Sequence, residues 1–195
     1  FELAREATAR GVRFIEAPVT GSRDQAAQGT LRFLAGGDAD TIEAARPVFD
    51  AMGSATVHLG PVGSAATVKL ANNFLCGVQA ASLAEAIALF ERHGLDMEQA
   101  MSILFDGAPA SGVVKGVGRR MLDRDYAPHF LVPLMAKDLG YAAQALADVG
   151  ITSTIAQAAR QRFVDATVPQ ADYLSLTVPD PDCKWNDAVQ HYDIG

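Results

Sequence analysis

Hydrophobic and polar positions follow two different patterns along the chain, and the first occupies about sixty residues. There, short apolar runs typical of strands stand between stretches with helical spacing. The pattern predicts helices at residues 1–10 and from Asp38 or Asp40 to about Met52, and strands at residues 12–16, 31–35 and 56–59. Strands that are separated by helices in this way predict an α/β sheet.

After Gly60-Pro61-Val62-Gly63 the pattern predicts helices alone. From about Ser64 to His93 the chain indicates one long helix that is apolar on nearly every face, as in the buried central helix of a domain. Shorter helices are predicted at about residues 97–105, after a capping Asp96, and near 113–123, 134–149 and 153–167, with an irregular proline-containing tail at 168–182.

The first residues have the pattern of a helix interior. Residues 1–10 are amphipathic and end at Gly11, but no capping residue precedes them. We therefore expect a segment upstream of Phe1, and we expect the strands present here to be the last ones of a larger sheet.

Composition and charge remove several classes of function from the expectation. The net charge is −7 and no basic stripe appears, so we expect no nucleic-acid partner. Two cysteines form no disulfide framework, which fits a reducing, cytoplasmic location. We find no signal peptide and no uncharged apolar run of membrane-spanning length, and the histidines lack metal-ligand spacing. We expect neither a membrane partner nor a metal.

Lys69 is the most informative residue for chemistry. It lies in the first turns of the long apolar helix, where a charge is costly unless it is paired or used. Asn73 follows one turn later on the same face, and Asn72 flanks that face. The partial positive charge of a helix N-terminus should lower the pKa of Lys69, which suits proton exchange with a hydroxyl. The alternative is a lysine that extends from the helix start into water.

Two other groups are weaker candidates. The loop Thr20-Gly21-Ser22 follows a strand and offers backbone N–H groups and hydroxyls to an anion, although it could simply be a turn. Lys137 and Asp138 lie in a helical stretch, where such a pair usually faces solvent. The glycine-rich Gly-x-Gly-x-x-Gly fingerprint of dinucleotide binding is absent from the sequence.

Four segments, taken in order, resemble the β-hydroxyacid dehydrogenases, the family of 3-hydroxyisobutyrate dehydrogenase and tartronate semialdehyde reductase, with 6-phosphogluconate dehydrogenase more distant. Residues 14–22 resemble the substrate loop, with Thr20 for the usual Ser and Ser22 for the usual second Gly. The other segments are the Gly-Thr-Leu and Gly-Gly strand at residues 29–37, the lysine segment at 60–73 and the Lys-Asp-Leu helix at 137–139.

The resemblance implies a fold and a reaction. It implies an α/β remnant, the last strands of a Rossmann domain at residues 1–61, followed by an all-α domain built on one long central helix, a substrate and dimerisation domain at residues 62–195. It implies an enzyme that uses NAD or NADP to interconvert a small β-hydroxyacid and its semialdehyde or keto form. Separately, the predicted helix at residues 64–93 is apolar on too many faces for the other helices of one chain to cover, so we expect a homodimer or homotetramer. The implied roles are catalytic for Lys69, substrate-binding for Thr20, Gly21, Ser22 and Asn73, and cofactor-binding for Lys137.

Two other readings stay open from the sequence. A truncated, catalytically inactive helical module could use the long apolar helix only to dimerise, but such a helix has no need of Lys69 and Asn73. The second alternative is an imine reductase of the same fold, although the lysine is often replaced in those enzymes. Lys69 therefore favours hydroxyacid chemistry.

Overall fold

The structure, a computed structural model, describes residues 2–125 and 130–166, and these residues divide into two compact units between Asn72 and Asn73. The division falls within the longest helix, so that helix belongs in part to each unit. Each unit has a separate apolar core. The predicted irregular tail at residues 168–182 lies outside the described residues.

The first unit combines a small sheet with helices. Its elements are α1 (Glu2–Ala9), β1 (Ile15–Glu16), β2 (Val19–Thr20), α2 (Arg23–Ala27), β3 (Leu31–Gly37), α3 (Ala39–Met52), β4 (Gly53–Gly60) and the beginning of α4 (Ser64–Arg92). A sheet with helices here and helices alone in the second unit is the arrangement that the two sequence patterns predict. Helix α3 begins as expected, because the Asp38 side chain accepts the Thr41 N–H at 3.1 Å.

Strand β3 is the centre of the sheet. Strand β4 runs parallel along one edge of it, and β1 and β2 run antiparallel along the other. Ile15 lies opposite Gly37 and Thr20 lies opposite Arg32. The strands β1 and β2 therefore pair with β3 in the same register, as one strand interrupted at Ala17-Pro18. The β1 and β2 segments therefore end with Thr20 beside Arg32, near the start of β3.

One local prediction differs from the structure in the same region. The predicted strand at residues 12–16 is paired only at Ile15 and Glu16, because β3 ends opposite Ile15 and, within the described residues, leaves residues 12–14 without a partner. The five-residue helix α2, for which the sequence pattern predicts no element, is too short to show a helical period.

The two faces of the sheet have different surroundings. Phe33 and Ala35 point to α3 and form the core with Ile42 and Phe49, and the rings of Phe33 and Phe49 lie 4.8 Å apart. Because side chains alternate along a strand, Arg32 and its neighbours in register point to the opposite face. That face carries the candidate site.

The described part of the second unit is entirely helical. Its elements are the rest of α4, α5 (Met97–Asp106), α6 (Gly112–Asp123), α7 (Val132–Asp148) and α8 (Thr154–Asp165). All five helices contribute to one apolar core, whose largest fully buried side chains are Ile87, Met101, Val117, Met121, Met135, Leu139 and Phe163.

Helix α4 is long and apolar enough to cross a membrane, and it is the one helix among the described residues with this length and composition. From the sequence we expected no membrane partner, because no uncharged apolar run is long enough to span a bilayer. However, 44% of the apolar stretch is buried within the protein, where Leu83 and Ile87 belong to the helical core. The core helix of a globular domain has the same composition, so length and composition alone do not distinguish the two.

Candidate active site

A cavity of about 520 Å³ lies in the first unit, on the face of the sheet that α3 leaves uncovered. Its volume is within the range of small-molecule sites. Its wall is formed by Thr20, Gly21, Gln25, Thr30, Arg32, Leu34, Val57, Val68 and Asn72. The predicted substrate loop therefore contributes Thr20 and Gly21 to a cavity that also receives two residues of α4.

The three loop residues have different roles in the structure. Gly21 has a φ of +116°, a conformation that favours glycine, and it turns the chain from β2 into α2. Ser22 caps α2: its hydroxyl donates to Gln25 Oε1 at 2.5 Å and its backbone N–H donates to the same oxygen at 2.9 Å. The Ser22 groups are thus used within the loop, and their predicted contact with a substrate carboxylate stays a prediction.

Glu16 holds the N-terminus of α4, the helix that carries Lys69. Its Oε1 accepts the backbone N–H groups of Gly63 at 2.7 Å, Ala65 at 2.8 Å and Ala66 at 3.3 Å. A carboxylate in this position satisfies N–H groups that a helix start otherwise leaves unpaired. The space for it is opposite Gly36, where an added Cβ would collide with the same carboxylate.

The sequence analysis did not find this role of Glu16. A signal was available, because Gly63 stands where α4 needs a capping side chain and has none to offer. The negative charge of Glu16 also offsets the partial positive charge of the helix N-terminus. The partial charge from which a lowered pKa at Lys69 was expected is therefore partly offset by a carboxylate.

Lys69 lies in the second turn of α4 and is half-buried. Val68, which precedes Lys69, and Asn72, which follows it by three residues on the same side of the helix, line the cavity, whereas Lys69 is not among the lining residues. Asn73 follows Lys69 by one helical turn, as the sequence predicts, and is only 4% exposed. Lys69 is therefore close in sequence to two cavity-lining residues of α4, and its role at the cavity stays a prediction.

In the second unit, Asp138 joins two of the predicted site residues. The Asn73 Nδ2 donates to Asp138 Oδ2 at 2.7 Å, and Lys137 Nζ lies 3.0 Å from Asp138 Oδ1. Lys137 also lies over the ring of Tyr141, 5.5 Å from its centre. The Asp138 side chain is 13% exposed, so the pair differs from the solvated surface pair that such residues usually form.

A cavity larger than the one beside the substrate loop lies elsewhere in the first unit. It has a volume of about 1190 Å³ and is lined by parts of α1 and by residues 37–39 and 58–62, with Arg5, Asp38 and His58 as its ionisable residues. None of the predicted site residues lines it. Size alone therefore does not select the site.

Two family models match the chain along most of its length. The NAD-binding domain of 6-phosphogluconate dehydrogenase matches residues 1–60, and the NAD-binding domain of NADP-dependent 3-hydroxyisobutyrate dehydrogenase matches residues 63–173. These matches define an NAD(P)-binding oxidoreductase fold. Their boundary is near the predicted one at residues 61 and 62, whereas the compact units divide at Asn72, so the domain boundary stays a prediction.

Relatives and solved structures agree with the family models. An NAD-dependent L-serine dehydrogenase of Pseudomonas aeruginosa is 39% identical over 146 residues, which are 70% of this chain and 48% of the relative. Glyoxylate/succinic semialdehyde reductase 1 of Arabidopsis thaliana is 33% identical over 159 residues, 82% of this chain and 55% of the relative. The structure of Mycobacterium tuberculosis 3-hydroxyisobutyrate dehydrogenase with L-serine has a TM-score of 0.77 at 30% identity, over 84% of this chain and 58% of that one.

The chain belongs to the β-hydroxyacid dehydrogenase family, as its four segments indicated, and NAD or NADP is the cofactor of that family. It spans about half the length of the curated relatives that it matches. The activity, substrates and partners of the whole protein are therefore proposals.

Proposed function

We propose that the intact enzyme interconverts a small β-hydroxyacid and its semialdehyde or keto form, with Lys69 as the general acid/base. The observation that carries this proposal is that Asn72, which follows Lys69 by three residues on α4, lines the same cavity as the substrate loop residues Thr20 and Gly21. The family membership supports the reaction class, since the named relatives act as hydroxyacid dehydrogenases or semialdehyde reductases.

Each residue has a separate task in this proposal. In the oxidation direction, Lys69 removes the proton from the substrate hydroxyl, and in the reduction direction it returns one. The residues Thr20, Gly21 and Ser22 hold the substrate carboxylate, and Asn73 orients the substrate through hydrogen bonds. Lys137 contacts the nicotinamide side of NAD(P), which when bound accepts or supplies the hydride.

The described residues fit the cofactor only in part. Lys137 is a half-exposed cation that an acidic neighbour holds in place. A pyrophosphate needs a glycine-rich helix start, but the start of α3, which follows Gly36-Gly37, is occupied by the Asp38 carboxylate.

We infer that the sheet is the last part of a larger Rossmann sheet and that α4 is the centre of the helical domain. The 195-residue chain alone should then show no dehydrogenase activity and only millimolar cofactor affinity.

Replacing Lys69 tests the proposal. In the intact enzyme, Lys69→Ala should lower kcat by at least about a hundredfold, the usual scale for a general acid/base, and should change KM and cofactor affinity much less. The assay uses 3-hydroxyisobutyrate as the substrate, and a parallel assay uses L-serine. Lys115→Ala is the matched control, because Lys115 is exposed on α6 and lines none of the cavities described. Turnover of Lys69→Ala within a few-fold of the unmodified enzyme would refute the assignment.

A further inference from the structure

Arg32 points into the same cavity as the substrate loop. It lies on β3 directly opposite Thr20 in the antiparallel register, and residues opposite each other on neighbouring strands have their side chains on the same face. Both residues line the cavity, as do Gly21 and Asn72. The sheet therefore holds a guanidinium beside the predicted carboxylate-binding loop.

The charge of Arg32 is not neutralised within the described part of the chain. Its side chain is exposed, and within residues 2–125 and 130–166 it makes no hydrogen bond or ion pair. The cavity wall contains no carboxylate, so Arg32 is the one charged side chain among its described lining residues. An arginine stays protonated at any ordinary pH, so this cavity carries a fixed positive charge.

The loop by itself offers less to an anion than its sequence suggests. The hydroxyl and N–H of Ser22 both donate to Gln25 Oε1, which leaves Thr20 and Gly21 as the loop groups that reach the cavity. A guanidinium carries paired N–H donors that match the two oxygens of a carboxylate. The strongest carboxylate-binding group in the cavity is therefore Arg32.

We propose that Arg32 binds the carboxylate of the substrate in this cavity, with Thr20 beside it, and so selects anionic ligands over uncharged ones of the same shape. The proposal rests on the proposed function, because it names the group that holds the substrate of that reaction. It adds a residue on β3 to a site that the loop and α4 define.

Binding of an unreactive pair of probes tests the role of Arg32 without turnover. Isobutyrate carries the carboxylate but has no hydroxyl to oxidise, and isobutyramide has nearly the same shape without the charge. Ligand-observed NMR on the intact enzyme with saturating NAD(P) gives the Kd of each probe. Isobutyrate should bind more tightly than isobutyramide, and Arg32→Met should raise the Kd of isobutyrate by about tenfold to a hundredfold, the effect of losing a hydrogen bond to a charged group.

Two further variants separate charge from general damage. Arg32→Lys keeps the charge but not the paired donors, so it should lose only part of the affinity for isobutyrate. Arg46→Met is the control, because Arg46 is an exposed arginine on α3 that pairs with Glu43 and lines none of the cavities described. It should bind both probes like the unmodified enzyme.

The outcomes distinguish this proposal from the proposed function. If Arg32→Met leaves the Kd of isobutyrate unchanged, or weakens both probes equally, Arg32 does not bind the carboxylate, whatever Lys69 does. Equal binding of the two probes by the unmodified enzyme overturns the proposal as well. If the selective loss is found while Lys69→Ala retains turnover, the Arg32 proposal stands and the assigned reaction chemistry fails.

Discussion

The side-chain amide of Asn73 donates to the carboxylate of Asp138 across 2.7 Å, although 65 positions separate the two residues in the sequence. Asn73 is 4% exposed and the Asp138 side chain is 13% exposed, so water has little access to replace either partner. The hydrogen bond joins α4 to α7 within the helical unit. It also fixes the orientation of an amide for which we propose a contact with substrate.

Asp138→Ala should lower the free energy of unfolding by about 1–3 kcal/mol, because it leaves a buried amide group without this acceptor. Urea denaturation followed by circular dichroism measures the change. Asp148→Ala is the matched control: it removes an aspartate from the same helix, but its partner Gln144 is on the exposed surface. The control should change stability by less than about 0.5 kcal/mol. Equal losses in the two variants would contradict a special role for Asp138.

Glu16→Ala should destabilise the first unit by about 1–2 kcal/mol, the typical value for a lost helix cap. The reason is that one carboxylate oxygen accepts three N–H groups at the start of α4. Glu16→Gln retains an acceptor oxygen without the charge and should lose less. Denaturant unfolding gives both values. A Glu43→Ala control removes only an exposed pair with Arg46, and a similar loss there would show that the cap contributes nothing particular.

Two glycines on α6 should respond to alanine with opposite signs. A Cβ on Gly118 would lie 2.8 Å from Met101 Cε and from Phe105 Cε1, and Met101 is fully buried, so Gly118→Ala should cost about 1–3 kcal/mol of stability. A Cβ on Gly116 would meet nothing within 4 Å, so Gly116→Ala should add up to about 1 kcal/mol through helix propensity. The difference in melting temperature between the two variants checks the packing of α5 against α6. Stabilisation by both would show that this packing is looser than described.

Local signals predicted the elements whose ends are encoded nearby. Helix α4 was expected from Ser64 to His93 and runs from Ser64 to Arg92, and Gly94, with a φ of +64°, lies two residues after its end. The start of α5 was equally well predicted, because the Asp96 side chain accepts the Gln99 N–H at 2.8 Å. Such ends are fixed within a few residues of chain and can be recognised without the fold.

The contacts that shape the candidate site could not be predicted in the same way. Glu16 is 47 residues from Gly63, and Asp138 is 65 residues from Asn73, so no local periodicity connects the partners. The relation of Arg32 to Thr20 depends on the antiparallel register of β3, which a two-residue strand does not determine by its sequence pattern. The sequence therefore indicated Lys69, Asn73 and Lys137, whereas the residues that position or accompany them required the fold.

The exposed apolar surface of α4 predicts self-association. Leu75 is 57% exposed and Leu89 is 56% exposed, and they lie on the same side of the helix four turns apart, so a single partner surface can cover both. We expect a dimer or a tetramer by light scattering at micromolar concentration. The double change Leu75→Glu and Leu89→Glu should shift the protein to a monomer, because burying two carboxylates in an apolar interface is costly.

Circular dichroism should stay unchanged, since neither side chain is part of the core. Leu3→Glu is the control, because Leu3 is 69% exposed on α1 and should not alter the mass. A monomeric unmodified protein, or an unchanged oligomer in the double variant, would exclude this face of α4 as the interface.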